Sequence, residues 1–356
     1  MSRPLRLLLA TGGTGGHIYP ALAVAEVARA HGEAVSVIGQ KGGMEERLVA
    51  EAGLPFHGVA AGRWNRSNPD PRQALQAVAG LYDAVRHVRR QAPDLVIGFG
   101  GFASFPGCVG AVVAGRPLVL QEGNAFPSRV NRWFAPRARL VISAHAEALA
   151  HLKARRSAVV PFPVREARHD RRAARRALGL PEEGVVTLVM GGSQGSLALN
   201  RSVPEAFLGL PEGARPVVLH SSGPRWEAQV REAVAGLGGY HVRPYVDAAL
   251  AWSAADLAIT RAGVGTISEA AFHGVPLLMV PLPTAAEDHQ LHNARAVEVA
   301  GAGRVVEERE VSRLGEVWLA ALRPEWRQPA AAAARARSPE GAAARIYAAA
   351  RETVVP

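Results

Sequence analysis

Three segments combine glycine with small polar side chains in a pattern suited to phosphates or sugar hydroxyls. They are Thr11-Gly12-Gly13-Thr14-Gly15-Gly16-His17, Gly98-Phe99-Gly100-Gly101-Phe102 and Met190-Gly191-Gly192-Ser193-Gln194-Gly195-Ser196, each following a short apolar run. Glycine at a strand–helix turn lets a ligand approach the backbone, and the helix start offers unbonded N–H groups and a positive dipole end. Two familiar nucleotide motifs are excluded. A Walker loop needs Gly-x-x-x-x-Gly-Lys-Ser/Thr, and the two lysines, Lys41 and Lys153, stand outside that frame. A dinucleotide fingerprint needs Gly-x-Gly-x-x-Gly and a later carboxylate; from Gly13 the pattern ends on Ile18, and the next strand runs into Gly39-Gln40.

A fourth segment, Thr260-Arg261-Ala262-Gly263-Val264-Gly265-Thr266-Ile267-Ser268-Glu269, turns from a strand through glycines into a helix. Glu269 there is either part of a helix cap or an acceptor for a ribose diol. Asp288-His289-Gln290-Leu291-His292-Asn293 opens another helix. His289 and His292 have ligand-like spacing, but no third ligand stands near them in sequence, so no metal is expected. Polar side chains at such a helix start fit sugar hydroxyls better.

The elements that hold these segments read as alternating strands and helices. Apolar runs at 5–11, 34–38, 95–99, 117–120 and 140–142 are expected strands of one half. Those at 185–190, 215–219, 240–243, 257–260 and 277–280 are expected strands of the other. Helical periodicity occupies 18–30, 71–91, 196–208, 225–236, 264–273 and 287–299. Continuous buried strands alternating with helices make doubly wound parallel sheets, an α/β class, here as two Rossmann-like domains facing a central cleft. Leu75, Val78, Tyr82 and Val85 share one stripe of the 71–91 helix and are expected in the core. The Ala/Arg-rich 328–350 region, broken at Ser338-Pro339, is expected to pack rather than to bind.

Composition limits the class further. At 356 residues and 48% apolar content, the chain is long enough for two domains and too apolar for disorder. A single cysteine, Cys108, excludes a disulfide framework and a cysteine zinc site. The short Leu7–Ala10 run is a strand rather than a signal peptide, and no stretch approaches the roughly 18 apolar residues of a span, so a soluble cytoplasmic protein is expected. The net charge of +10 is uneven: residues 1–164 hold 19 basic and 10 acidic side chains, whereas 165–356 hold 22 and 21. The basic first half points to a polyanionic partner, nucleic acid or an anionic membrane.

Taken together, the loop at 11–17, Gly98-Phe99-Gly100-Gly101, Gln121-Glu122-Gly123-Asn124, Pro163-Val164-Arg165, the loop at 191–195, the 261–269 stretch and Asp288-His289-Gln290 resemble the MurG family, in order and over nearly the whole chain. Members are GT-B glycosyltransferases that add GlcNAc to lipid I in peptidoglycan synthesis. The resemblance implies an acceptor- and membrane-binding domain over 1–163, completed by a C-terminal helix at 340–356, and a UDP-GlcNAc-binding domain over 164–339. It places Thr14, Gly15 and Gly16 near the transferred sugar and Asn124 near the acceptor. Arg165 and Ser193 would hold the diphosphate, and the Val246 backbone would pair with uracil. Val264, Gly265, Thr266, Ile267, Ser268 and Glu269 would embrace the nucleotide, with Glu269 on the ribose, and Gln290 would bind GlcNAc hydroxyls. Two departures stand out: Phe102 where some members have tyrosine, and Gln121 and Gly123 around Glu122 where histidine and glutamine are frequent.

The implied reaction inverts the anomeric centre. The C4 hydroxyl of MurNAc in undecaprenyl-diphosphate-MurNAc-peptide attacks C1 of GlcNAc, giving lipid II and UDP. With no metal cluster or cofactor in the sequence, helix-terminal amides at 191–195 and Arg165 would stabilise the leaving UDP. His17 is the first candidate base, since an ordinary imidazole titrates near neutrality, and Glu122 the second. The expected partners are UDP-GlcNAc, lipid I and the anionic inner membrane surface, with no nucleic acid. The protein would work as a peripheral enzyme on the cytoplasmic face. A GT-B enzyme with another lipid acceptor such as diacylglycerol, a UDP-GlcNAc epimerase, and a non-catalytic nucleotide-binding membrane scaffold are the competing readings.

Overall fold

In the computed structural model, which describes residues 3–60, 71–192 and 194–354 and only the backbone of 71–74, the chain forms two compact units. Unit 1 comprises Met1–Arg165 and Gly341–Pro356; unit 2 comprises Glu166–Glu340.

Unit 1 carries β1 (Arg6–Ala10), β2 (Ala34–Gln40), β3 (Phe56–Val59), β4 (Leu95–Gly98), β5 (Leu118–Glu122), β6 (Leu140–Ser143) and β7 (Ser157–Val159). They lie in the order β3-β2-β1-β4-β5-β6-β7, all parallel. Unit 2 carries β8 (Val186–Met190), β9 (Val217–Ser221), β10 (Tyr240–Arg243), β11 (Leu257–Thr260), β12 (Leu277–Met279) and β13 (Gly303–Val305). Their order is β10-β9-β8-β11-β12-β13, again parallel throughout. Each sheet is therefore a Rossmann-like doubly wound layer. Each reverses its strand order once, between β1 and β4 and between β8 and β11. The carboxyl ends of the strands at such a reversal leave a crevice where ligands bind.

The leucine run of β1 shows why the sheets are buried on both faces. Successive side chains point to opposite sides of a strand. Leu7 and Leu9 pack with Ala21 and Val24 of helix Gly15–Ala30, while Leu8 and Ala10 pack with Val88 and Cys108 from helices Pro71–Gln91 and Phe105–Val113.

All ten expected strands exist; β3, β7 and β13 were not expected. All three are edge strands, short and only partly buried, so they carry no continuous apolar run. The 328–350 pattern divides into helices Pro324–Ala336 and Ala342–Arg351, which belong to different units. The stripe expected in the core is a correction: Leu75, Val78 and Tyr82 are 72%, 63% and 71% exposed, and Val85 is half-buried. The helix instead buries Gly80, Ala84 and Val88. Backbone comes so close on that face that a Cβ on Gly80 would lie 1.9 Å from the Ala60 carbonyl oxygen, and one on Gly110 would lie 2.7 Å from Val88. Small residues, not large ones, are what this contact admits.

Helix Ala342–Arg351 returns to unit 1 and buries Ala342, Ile346, Tyr347 and Ala350 against the β1 layer. Its polar anchor is Glu33, a buried carboxylate that accepts from the Leu5 N–H, from the Tyr347 hydroxyl at 2.7 Å and from Arg351 at 3.3 Å. These donors hold the Glu33 carboxyl below its ordinary range although burial alone would raise it. Ile346 is fully buried. Ile346→Ala should cost about 2–5 kcal/mol in chemical denaturation, since a cavity adds to the lost transfer energy.

Candidate active site

In unit 1 the first glycine loop leaves β1 at the point where the sheet order reverses. Gly12 and Gly13 have φ of 140° and 86°, a region that side chains rarely adopt. Helix Gly15–Ala30 then starts from Thr14 with no side-chain cap. The Thr11 hydroxyl donates to the His17 carbonyl at 2.6 Å, tying the first turn back to the strand end. The His17 ring lies on the second glycine loop: a Cβ on Gly101 would fall 2.6 Å from its Cδ2 and 2.9 Å from its Nε2. Phe102 covers Gly13 from the other side, at 2.9 Å from a Cβ placed there.

Glu122 lies just past the same loop. A Cβ on Gly100 would lie 3.8 Å from His17 Nε2, 3.5 Å from Ser128 Oγ and 3.3 Å from Asn131 Nδ2. That Asn131 amide donates to Glu122 at 2.9 Å. Glu122 also accepts from the Ser128 N–H at 2.8 Å and from both the backbone and the side chain of Asn124, at 2.9 and 3.1 Å. Its carboxylate is thus buried under four N–H groups. Burial raises its pKa and those donors oppose the rise. Such a group staples a loop. Unit 1 therefore brings Thr14, Gly15, Gly16, His17, Glu122 and Asn124 into one neighbourhood at the β1/β4 reversal.

One residue of this site carries no sequence signal. Glu45, fully buried, accepts from the Gln40 N–H at 2.9 Å and the Gly13 N–H at 3.3 Å. Its carboxylate fills the space where Gly12, Gly39 and Gly43 lack side chains. The Gly-Gly-Met-Glu-Glu run at 42–46 reads as an ordinary acidic helix start, and only the fold turns Glu45 inward.

In unit 2 the loop after β8 leads into helix Leu197–Gly209, capped by the Ser196 hydroxyl. Ser193 lies outside the described residues. Gly195, at φ 73°, rests on the β9 turn: a Cβ there would lie 1.9 Å from the Ser222 carbonyl oxygen. A side chain at Gly192 would meet nothing within 4 Å, so that side of the loop is open. Beneath it runs a buried relay unseen in the sequence. Asn200 donates to the Ser222 carbonyl at 2.9 Å, and His220 bonds Asn200 at 2.9 Å and Tyr240 at 2.8 Å. Burial lowers the His220 pKa to about 3, so the ring is neutral. Arg261 is the second missed support. It donates to Ser196 Oγ at 3.0 Å, to the Val280 and Pro281 carbonyls, and to Glu308 at 2.7 Å.

Across the β8/β11 reversal, helix Val264–His273 starts from Gly263 with no side-chain cap. A Cβ on Gly263 or Gly265 would meet nothing within 4 Å. This end presents its first N–H groups to an open space. Glu269 lies further along the helix, half-buried, and accepts from the Trp252 indole N–H at 3.0 Å. Burial raises its pKa against that hydrogen bond. The Gln290 carbonyl oxygen accepts from the Ala262 and Leu282 N–H groups at 3.2 and 3.0 Å. Glu287 and Asp288 precede it at φ of 55° and 50°, a costly turn for side chains that sets the start of helix His289–Val299. Among the described residues, the peptide groups of Val246 make no turn, loop or cap backbone hydrogen bond. Arg165, exposed, makes no ion pair among the described residues. No group of three or more metal-ligating side chains occurs among the described residues.

The family model described as the glycosyltransferase family 28 N-terminal domain matches residues 7–143, and that of the C-terminal domain matches residues 186–346. The chain is 47% identical to a protein of Deinococcus deserti over 96% of both, and 43% identical to one of Thermus thermophilus over 96% of this chain and 97% of the relative. Both relatives are named UDP-N-acetylglucosamine–N-acetylmuramyl-(pentapeptide) pyrophosphoryl-undecaprenol N-acetylglucosamine transferase. The solved structure of Acinetobacter baumannii MurG superimposes with a TM-score of 0.79 at 27% identity, covering 98% of this chain and all of that one. The calicheamicin glycosyltransferase CalG4, at 19% identity and a TM-score of 0.67, shares the fold.

The contact between Gly195 and Ser222 generates a test. Gly195→Ala places a methyl 1.9 Å from a carbonyl oxygen at φ 73° and must displace the loop. Titration calorimetry should show UDP binding weakened at least tenfold, or about 1.4 kcal/mol, with the thermal unfolding of unit 1 unchanged.

Proposed function

The chain belongs to glycosyltransferase family 28, and from that premise we propose that it transfers GlcNAc from UDP-GlcNAc to the C4 hydroxyl of MurNAc in lipid I, with inversion, giving lipid II. It is a GT-B enzyme, and its relatives are named for this transfer along their full length. The observation that carries the reading is that near-complete match, with intact glycine loops at both strand-order reversals.

We assign the donor to unit 2. The N–H groups of Val264, Gly265 and Thr266 and those of the 191–195 loop supply a positive dipole end for the diphosphate, joined by Arg165 and Ser193. The Val246 backbone pairs with uracil, Ile267 and Ser268 complete the helix turn around the nucleotide, Glu269 accepts from the ribose, and the Gln290 amide donates to GlcNAc. Trp252 donates to one Glu269 oxygen, and in this reading the other accepts from the diol. The acceptor falls to unit 1, around Thr14, Gly15, Gly16 and Asn124. His17 is the base: it sits half-buried on the Gly100-Gly101 backbone, while the Glu122 carboxylate is consumed by loop hydrogen bonds. As C1–O cleavage builds charge on UDP, fixed N–H dipoles and Arg165 stabilise it without rearranging.

Transfer of labelled GlcNAc from UDP-GlcNAc to lipid I tests the reading; conversion of UDP-GlcNAc without acceptor would indicate an epimerase instead. His17→Ala should lower kcat about 10²–10⁴-fold. A fall of less than tenfold, with a raised acceptor KM, would make His17 a binding residue.

We also propose that unit 1 docks on anionic membrane at the cytoplasmic face. No helix among the described residues is long and apolar enough to cross a membrane. Helix Pro71–Gln91 presents Leu75, Val78 and Tyr82 outward, and Arg86, Arg89 and Arg90 follow on the same exposed helix. Arg63, Trp64 and Arg66, which would extend this face, lie outside the described residues, as does the Arg72 side chain. Each arginine near an anionic surface contributes about 1 kcal/mol, screened by salt. Arg86→Gln/Arg89→Gln/Arg90→Gln should weaken binding to phosphatidylglycerol vesicles in sedimentation. Arg309→Gln/Arg313→Gln/Arg323→Gln should not. Equal binding to neutral vesicles would remove the electrostatic basis.

A further inference from the structure

Unit 2 holds a cavity of about 480 Å³ at the far end of helix Val264–His273 from the donor loops. That helix has ten residues, about 15 Å, which separates the cavity from the helix start and the glycine loops, and Trp252, which lines the cavity, bonds Glu269 from this side. The cavity walls carry Arg168, Arg171, Arg327 and Arg335. Asp256 is the one carboxylate among the lining residues, and it is already engaged by Arg171 and by the buried Arg175. Arg168 pairs with Glu340 at 3.1 Å. Arg327 donates only to the Leu322 carbonyl, and Arg335 makes no ion pair or hydrogen bond among the described residues. Positive charge is thus in excess. Burial, then Arg327 and Arg335, lower the Arg171 pKa, with Glu183 opposing. Burial and Arg168 lower that of His273 to about 4, so this lining histidine is a neutral donor.

Of the four guanidinium groups around this concavity, Arg168 and Arg171 already meet carboxylates, and a bound anion would offset the charge of the other two. Their planar forks match phosphate oxygens bidentately, and the volume lies in the range of small-molecule sites. We propose that this cavity is a binding site for a phosphate-bearing anion of at least two negative charges, separate from the donor site. Arg327 and Arg335, the two without carboxylate partners, are its principal ligands. The phosphate comes either from a soluble ester or from a lipid headgroup, two sources with the same charged group.

The test is titration calorimetry of the full chain with inorganic pyrophosphate, with UDP saturating so that the nucleotide site is filled. One further pyrophosphate should bind, more weakly as salt rises. Arg327→Gln/Arg335→Gln should weaken it at least tenfold, whereas Arg165→Gln should leave it unchanged. Arg335→Gln alone removes a side chain with no polar partner among the described residues, so it should keep the fold and still weaken binding several-fold. A parallel arm measures sedimentation with phosphatidylglycerol vesicles in the Arg86→Gln/Arg89→Gln/Arg90→Gln background, where docking by unit 1 is already weakened. Loss of vesicle binding in the double variant, without pyrophosphate binding in the wild type, assigns the phosphate to a headgroup. Absence of a second binding event in both arms, or equal binding by wild type and Arg335→Gln in the arm that shows it, overturns the proposal.

Discussion

The missing side chain at Gly101 sets the geometry of unit 1. The His17 ring occupies the volume a Cβ would need, 2.6 Å from its position, so the loop after β1 and the loop after β4 can meet only if one of them has no side chain. The same constraint recurs in unit 2, where Gly195 meets the Ser222 carbonyl oxygen at 1.9 Å from its absent Cβ. In each sheet the constrained glycine lies beside the strand-order reversal. Close approach of backbone to backbone leaves the outer side of each loop open, and there a phosphate or a sugar can approach N–H groups without meeting carbon.

Glycine loops are entropically costly, and each is held by buried polar groups beneath it. Glu45 and Glu122 do this in unit 1; Arg261 and the Asn200–His220–Tyr240 relay do it in unit 2. All are buried or nearly so, and all bond backbone at or beside the loops. A buried carboxylate that accepts several hydrogen bonds is stabilised by them while desolvation acts against it: Glu122, the more deeply buried and with no cation beside it, ends above its ordinary range, whereas Glu33, less deeply buried and paired with Arg351, ends below it. These groups set where the loops lie; they do not need to touch substrate.

Charge follows a similar division of labour. The second half is nearly neutral by count, yet its arginines are not spent evenly. Arg175 is buried and donates to three carbonyls and Asp256, a structural use of a cation. Among the described residues Arg327 and Arg335 pair with no carboxylate, so a region neutral on average contains a concentrated positive cavity. The excess of the first half is different in kind: Arg86, Arg89 and Arg90 lie on an exposed helix beside exposed apolar side chains, a pattern suited to a surface rather than to a small anion.

Much of the architecture was legible in the chain alone. Leu7–Ala10 is apolar throughout, and Leu95–Phe99 and Val185–Met190 are apolar but for Gly98 and Thr187, because the central strands of a doubly wound sheet are covered on both faces, and that burial must be written into nearly every residue. The glycine segments were legible for the same local reason, since positive φ and close approach demand glycine whatever the rest of the fold does. Edge strands β3, β7 and β13 were not legible, because one covered side and a few residues leave no periodic signature. Nor was the direction of helix Pro71–Gln91: the stripe of Leu75, Val78 and Tyr82 has core periodicity, but the inward face is set by how closely Gly80 and Ala84 admit the neighbouring backbone. Glu45, Arg261, His220 and the arginine cavity belong to this second class. Their neighbours are distant in sequence, and a charged side chain reads the same whether it faces water or a loop; only the packed units decide which, because burial and partners exist only once the chain has folded.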